Sequence, residues 1–460
     1  MAERVDVIVL GLGVGGEEVA NCLAESGLNV VGIESNLVGG ECPYYGCIPT
    51  KMMIRADDML AEGRRIPGFA GDSVIKPEWT PVAQRIRTVA TDNWDDRVAV
   101  ERFQGKGGHF VRGAGRLAGP GKVSINGTTY EAERGVVIAT GTSPAVPPVT
   151  GLDRVSYWTN REAVKVEQLP ASLVILGGGA IGVELSQVFA RFGVKVSIIE
   201  GMKRVLAIEE PEASAVLDEV LRRDGIDLVL NARAKSVEPR GNDVAVILED
   251  GRQVIGQQLL VATGRRANLS DIGLEMVGLD PASRLLEPDD HLRVGERLWA
   301  IGDVTVSGGF THMAIYHAGI VIDDIIGRPG PGADYRAKPR VTFTDPEVGA
   351  VGLTEEQARK KGINVRTGLQ KASVTSRGWI HGPGNDGFIK VVEDADRGVL
   401  VGATTMGPRG GDLLGLFELA IKLQIPSDEL RHLIYAYPTF YRGSGEAVRM
   451  LGPDAHMPLR

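Results

Sequence analysis

VDVIVLGLGVGG, residues Val5–Gly16, runs from an apolar strand straight into a glycine-rich turn, and the helical run EEVANCLAESG follows at once. The glycines fall at Gly11, Gly13 and Gly16, and the next strand, NVVGIE, ends on Glu34. In a strand, turn, helix and strand, this spacing is a dinucleotide-binding fingerprint. The first glycine makes the tight turn, the second lets backbone approach a pyrophosphate, and the third permits close helix–strand packing beneath a helix N-terminus that attracts phosphate. Glu34 is placed to accept hydrogen bonds from an adenosine ribose.

The same unit returns downstream as SLVILGGGAIGVELSQVFARFGVKVSIIE, with glycines at Gly177, Gly179 and Gly182 and a terminal Glu200. Positions 11 to 34 and 177 to 200 span the same interval, so the two copies predict the same architecture. The predicted fold class is α/β, with two doubly wound Rossmann-type domains. Two adenine dinucleotides, one per sheet, suggest a flavin (FAD) fixed in one domain and a nicotinamide, NAD(P)H, visiting the other. Each copy is followed by a similar return strand, GVVIATG (135–141) and LLVATGRRAN (259–268). RLWAIGDV (297–304) reads as a further strand whose end delivers a carboxylate, Asp303, to a ligand or a turn.

Composition limits the class of function. At 460 residues, 43% hydrophobic and 24% charged, the chain has enough apolar material for two to four cores. No run approaches the roughly 18 apolar residues of a membrane span, and a net charge of −8 without basic clusters argues against nucleic acid. A small-molecule electron acceptor is therefore the expected partner. Charged residues break the N-terminal apolar run, no signal peptide is expected, and a cytoplasmic address follows.

Three cysteines in this length do not make a disulfide framework. Two of them, Cys42 and Cys47, lie in GGECPYYGCIPTK (39–51) at the mouth of a predicted helix. In a reducing compartment such a pair is redox-active or metal-binding. Metal is the weaker option, because Glu41, Tyr44 and Tyr45 are the local partners and no histidine or further cysteine completes a tetrahedral set. Pro49 suits a first helical turn, so Cys47 sits near a helix N-terminus where partial positive charge and Lys51 favour a thiolate. Cys22, inside the first helix, reads as core packing.

The paired GxGxxG units, the CxxxxC followed by IPTK, the two ATG segments, AIGD (300–303) and FTDPEVGAVGLTEEQA (343–358) together resemble the flavin-dependent pyridine nucleotide–disulfide oxidoreductases, to which dihydrolipoamide dehydrogenase, glutathione reductase and mercuric reductase belong. The resemblance covers nearly the whole chain. It implies FAD binding by residues 1–150 and 271–335, nicotinamide binding by 151–270, and an α+β dimerisation domain at 336–460 that makes a homodimer. It implies that Cys47 is the flavin-proximal thiolate, that Cys42 attacks substrate, that Lys51 pairs with Glu184 beside the flavin, and that Asp303 meets the ribityl chain. It further implies cofactor contacts at Gly40, Thr140, Gly141, Gly264, Gly302 and Ala314. FTHMAIYHAG (310–319) is expected to open a helix facing the flavin, with His312 as a cap or packing residue.

The departures carry the functional information. Disulfide-reducing members read His-Pro-Thr near the C-terminus, with a glutamate five residues after the histidine. Here LIYAYPTFYRGSGEAV puts Tyr437 in the histidine position and Arg442 in the glutamate position. A phenol with a pKa of about 10 is a poor proton shuttle near neutrality, whereas imidazole at about 6.5 is well placed. Glu446 is the displaced acid if the segment carries one extra helical turn. His432 reads as a solvent-side residue. The mercuric reductase alternative lacks its C-terminal cysteine pair. The expected function is electron transfer from NADH, favoured over NADPH by Glu200 and tempered by Lys203 and Arg204, to a quinone, a metal ion or an unusual disulfide. The alternatives are a dihydrolipoamide dehydrogenase-like reductase and a catalytically idle flavoprotein scaffold.

Overall fold

The computed structural model describes residues 2–452. Two compact units make up the chain: Met1–Thr50, Ala83–Ala145 and Gly264–Asp334 in the first, and Lys51–Val82, Val146–Thr263 and Tyr335–Arg460 in the second. The Thr50/Lys51 boundary falls within the helix Cys47–Arg65.

In the first unit Val7, Ile8, Val9 and Leu10 are fully or almost fully buried. A strand buried on both faces belongs at the centre of a parallel sheet, and Glu3–Leu10 lies there, between Val30–Glu34 and Thr128–Ile138, parallel to both. The order runs Arg293–Gly295, Leu298–Ala300, Thr128–Ile138, Glu3–Leu10, Val30–Glu34, His109–Arg112, and the hairpin Arg116–Gly119/Lys122–Ile125 completes eight strands. Chain order reverses beside Glu3–Leu10. That reversal opens the crevice in which doubly wound sheets hold ligands, and the first glycine turn occupies it. One apolar cluster, including Ile8, Ile33 and Val136, fills one face, and another, including Val9, Val19, Leu23, Val137 and Val321, fills the other.

The second unit repeats the plan. Asp227–Val229, Lys195–Ile199, Ser172–Leu176, Gln258–Val261 and Tyr157–Trp158 form an all-parallel sheet with Ser172–Leu176 at its centre. An antiparallel three-stranded sheet, Ala234–Arg240, Asp243–Leu248 and Gln253–Gly256, follows it. The C-terminal part is an antiparallel five-stranded sheet ordered Pro339–Thr342, Glu347–Gly352, Val399–Gly407, Phe388–Asp394, Val365–Lys371. The helices Gly410–Lys422 and Phe440–Arg449 contribute to its core through Leu414, Phe417, Ala447 and Val448. The fold is therefore two Rossmann-type sheets plus an α+β C-terminal part. Among the described residues, no helix is long and apolar enough to cross a membrane.

Candidate active site

The two glycine turns are built alike. Gly11 and Gly177 have φ of +97° and +110°, in the left-handed region, and a Cβ on either would lie 2.4 Å from a carbonyl oxygen, that of Ala139 or Ala262. A Cβ on Gly16 or Gly182 would lie 2.0 Å from the Gly11 or Gly177 oxygen, which is the close helix packing the third glycine allows. A Cβ on Gly13 or Gly179 would meet nothing within 4 Å. The helices Val14–Glu25 and Ala180–Arg191 start at these open positions, so their free amide groups face space suited to a pyrophosphate.

The terminal acids are held in matching fashion. Glu34 accepts from the Leu12 and Asn36 amides at 2.8 and 2.7 Å, and Glu200 from those of Gly178 and Met202 at 2.6 and 2.7 Å. Each carboxylate is thus pinned to its own glycine turn. Arg204 departs from expectation: its guanidinium donates to the Ala207 and Glu209 carbonyls and the Ser214 hydroxyl, each at 2.9 Å, so it is bound within its own turn and does not reach for a phosphate. Lys203 is exposed.

Around the first turn, Ala314 packs beneath Gly15, whose Cβ would lie 2.9 Å from the Ala314 oxygen, and beside Gly302. Gly141 and Gly264 have open space in front of them, and the buried Thr140 hydroxyl has no protein partner. An orphaned polar atom beside open glycines is what an FAD-binding crevice requires, so the residues present fit the flavin. Asp303 accepts from the Thr142 hydroxyl at 2.8 Å and from the Gly309 amide at 3.1 Å. His317, fully buried, accepts from the Gly302 amide on Nδ1 at 3.1 Å and so fixes the turn that presents Asp303. The sequence reading missed that histidine, which sits one helical turn beyond the start of a helix it had placed. His312 stacks on Phe310 with ring centroids 5.2 Å apart.

The redox turn is joined to the glycine turn. The Gly39 amide donates to the Leu12 carbonyl at 2.7 Å, and a Cβ on Gly40 would press on Gly13 Cα at 2.8 Å. A short helix, Glu41–Tyr44, carries Cys42, and the helix Cys47–Arg65 starts on Cys47. Cys47 Sγ lies 3.2 Å from Thr311 Oγ1, at the first residue of the helix Thr311–Ile326. Cys47 is thus stationed at one helix N-terminus and bonded to the first residue of another, a setting that favours negative charge on sulfur. Its hydrogen bond with Cys47, followed by burial, pushes the Cys42 thiol above its ordinary range. The pair is asymmetric: the Cys42 thiol holds its proton more tightly than an ordinary cysteine. Both are free thiols. Thr311 lies in the run FTHMAIYHAG (310–319), but nothing local to the sequence identifies a contact 264 residues away. Cys22 is not core: its helix buries Leu23 and Ala24 and leaves Cys22 half-exposed, 3.6 Å from Glu18.

In the second unit Lys51 Nζ donates to Glu184 Oε2 at 2.8 Å, and Glu184 Oε1 accepts from the Phe343 amide at 2.8 Å. Lys51 also lies 4.6 Å over the Phe343 ring. Two helical turns further along Ala180–Arg191, Arg191 is buried among Asp57, Asp224 and Asp345 at 3.3, 3.0 and 2.9 Å. Burial pushes the Asp57 carboxyl up to about 7 and the Asp58 carboxyl up to about 6. Elsewhere Glu210, Glu212 and Glu355 converge on the Lys390 ammonium at 2.9, 2.8 and 2.9 Å, so a lysine fills that acidic cluster.

Tyr437 is 68% exposed. The Arg442 guanidinium lies 5.4 Å from its ring centroid, and Arg442 pairs in turn with Glu446 at 3.6 Å, one turn along the helix Phe440–Arg449. Burial raises the Glu446 carboxyl above its usual range. His432 is exposed and bonded to the Asp428 carbonyl at 2.8 Å. A cation, not a carboxylate, stands against the tyrosine.

Residues 5–318 match the model for "Pyridine nucleotide-disulphide oxidoreductase", and residues 338–448 match that family's dimerisation domain. The chain is 30% identical to a mercuric reductase of Lysinibacillus sphaericus over 96% of its length and 81% of that protein. It is 31% identical to a dihydrolipoyl dehydrogenase of Bacillus subtilis, covering 97% and 98%. A solved Cu(II) complex of the HOCl-induced flavoprotein disulfide reductase RclA from Escherichia coli superimposes with a TM-score of 0.86 at 25% identity, over 97% of this chain and all of that one.

Proposed function

The chain belongs to the pyridine nucleotide–disulphide oxidoreductases, flavin-dependent enzymes that use NAD(P)H, and from that premise we propose that it passes electrons from NADH through the Cys42–Cys47 pair to a non-dithiol acceptor: a quinone, a metal ion or an unusual disulfide. One observation carries the reading. Where disulfide-reducing members have an imidazole held by a carboxylate, this chain has Tyr437 against the Arg442 guanidinium, with Glu446 paired to the arginine. Reducing an ordinary disulfide requires a proton for the leaving thiolate, and a positioned general acid is worth about 10²- to 10⁴-fold. A quinone or metal ion has less need of one there. The solved RclA complex contains Cu(II), which favours a metal ion among these acceptors.

In this reading residues 1–150 and 271–335 hold FAD, 151–270 hold the nicotinamide and 336–460 make the homodimer contact that the dimerisation-domain match supports. FAD, when bound, supplies a two-electron hydride acceptor. The chain's own residues do the rest. Gly11, Gly13, Gly16, Glu34 and Asp303 orient one dinucleotide, and Gly177, Gly179, Gly182 and Glu200 orient the other. Cys47 keeps negative charge on sulfur while Cys42 keeps the proton, and Lys51, fixed by Glu184, supplies a positioned ammonium.

The test is anaerobic titration of purified protein with NADH, followed by a panel of acceptors: lipoamide, glutathione disulfide, Cu(II), Hg(II) and a benzoquinone. Brisk quinone or metal reduction with slow disulfide turnover supports the reading. Dihydrolipoamide turnover at hundreds per second would assign the chain to the dihydrolipoamide dehydrogenase alternative.

A further inference from the structure

We propose that the loop Thr91–Asp96 is a built brace for the redox turn, and that Trp94 is its positioning residue; the inference rests on Cys42 and Cys47 being the redox pair. Three bonds tie the loop to the segment carrying Cys42. The Asp96 carboxylate, itself buried and held by Arg112 at 2.5 Å, accepts from the Val38 amide at 2.7 Å, just before Gly39 and Gly40. The Trp94 indole N–H donates to the Tyr44 carbonyl at 3.0 Å. The buried Tyr44 hydroxyl makes a longer 3.5 Å bond to the Asp95 carbonyl. Tyr44 is the last residue of the helix Glu41–Tyr44, and its carbonyl is one that a helix end leaves without an internal partner.

The loop adopts a costly conformation to make these bonds. Asp92, Asn93 and Trp94 have φ of +46°, +57° and +59°, three successive non-glycine residues in the left-handed region. Asp and Asn tolerate it, but for a tryptophan it is a genuine outlier, costing of order 1 kcal/mol or more. Strain of this kind persists where surrounding contacts over-determine it. Here the contacts are the indole bond itself, the Arg87 bond to the Asn93 side chain at 2.9 Å, and the Asp95 amide to the Thr91 and Asp92 carbonyls at 3.2 Å.

Holding Tyr44 holds the segment between the two sulfurs. When the pair is reduced the S–S bond breaks as two electrons and one proton enter, leaving the Cys42 thiol and the Cys47 thiolate; the reductant is NADH through the flavin. A turn fixed with its cysteines close keeps their effective concentration high, which favours the disulfide and makes the dithiol the stronger reductant. A single net hydrogen bond of about 1 kcal/mol corresponds to a three- to tenfold change in that equilibrium.

The experiment uses the FAD-loaded enzyme under anaerobic conditions, equilibrated across a dithiothreitol series, with alkylation of Cys42 and Cys47 and the long-wavelength charge-transfer band as readouts. Trp94→Phe keeps an aromatic ring and removes the indole N–H together with the five-membered ring that carries it. It is expected to shift the couple three- to tenfold toward the dithiol, about 15 to 30 mV for two electrons. Tyr44→Phe should shift it in the same direction by less, and serves if Trp94→Phe does not fold. A folded Trp94→Phe with the wild-type midpoint overturns the brace. A wild-type pair that does not titrate as a couple overturns the underlying functional reading and the brace with it.

Discussion

We expect Glu200 to set the nucleotide preference, and its environment makes the effect large enough to measure. The Gly178 and Met202 amides lock the carboxylate at 2.6 and 2.7 Å, so it cannot swing away from a phosphate that approaches the ribose position. Arg204, the cation best placed by sequence to neutralise that phosphate, is consumed by Ala207, Glu209 and Ser214. A phosphate dianion about 4 Å from a fixed carboxylate is repelled by about 2 kcal/mol even at the dielectric of bulk water, and by several times that nearer the protein surface. The lower figure is about a thirtyfold preference. NADH is therefore expected to exceed NADPH in kcat/KM by thirtyfold or more, the difference lying in KM and kcat being nearly unchanged, because the ribose lies far from the reacting carbon. Glu200→Gln removes the charge and should narrow the gap to fivefold or less. Raising salt should narrow it in the wild type, as exposed charges are screened. Steady-state kinetics with a quinone acceptor measures all three. NADPH used as well as NADH by the wild type, or a ratio unchanged by Glu200→Gln, would refute the argument.

Cys47→Ser should bind FAD normally yet show no charge-transfer band on two-electron reduction, whereas Cys42→Ser should show the band without added reductant, since Cys47 is the sulfur placed to carry charge. The Asp57 carboxyl, raised to about 7 by burial, binds its proton more tightly folded than unfolded. Its contribution is therefore fully present below about pH 4 and lost as pH rises through about 7, with a slope of at most about 1.4 kcal/mol per pH unit. Relative to Asp57→Asn, the wild type should lose Tm between about pH 4 and 7; parallel Tm profiles would remove Asp57 from the account. Tyr437→His alone should raise lipoamide turnover only slightly, because the Arg442 guanidinium depresses the new imidazole's pKa. Adding Arg442→Glu should raise it by a further tenfold or more, and no gain from the double variant would show that the histidine position does not limit disulfide turnover.

The parts of this molecule legible in the sequence are those whose physics is local. A glycine needed for a positive φ, a third glycine needed for helix packing and an acid at a strand end all lie within one strand–helix–strand unit, so both nucleotide folds could be read from Val5–Glu34 and Ser172–Glu200. The pairing of Lys51 with Glu184 was available only through the family resemblance, because 133 residues separate them. Resemblance gave nothing on contacts peculiar to this chain. The Thr311 hydroxyl on Cys47, the buried His317 beneath Gly302 and the Arg191 cluster are made by residues of ordinary type brought together across large sequence separations. Arg204 failed in the opposite direction: its position was right for a phosphate, but three acceptors in the turn Val205–Ser214 claim it first.

The C-terminal segment shows how far residue type alone carries. The sequence offered Glu446 as a displaced partner for the residue at 437, which would have preserved an acid beside the proton-transfer position. Four-residue spacing on the helix Phe440–Arg449 puts Glu446 against Arg442 instead, at 3.6 Å, and the arginine against the tyrosine ring. Glu446 is turned to the guanidinium rather than to the tyrosine, so the phenol faces a cation and has no base beside it. If Tyr437 stands where the family's histidine does, as proposed, the acid–base pair gives way to a row of tyrosine, arginine and glutamate in which no base faces the phenol. Under the proposed function, an acceptor reduced here takes its protons from Cys42 or from solvent, which is why quinones and metal ions are the expected acceptors and an unactivated disulfide is not.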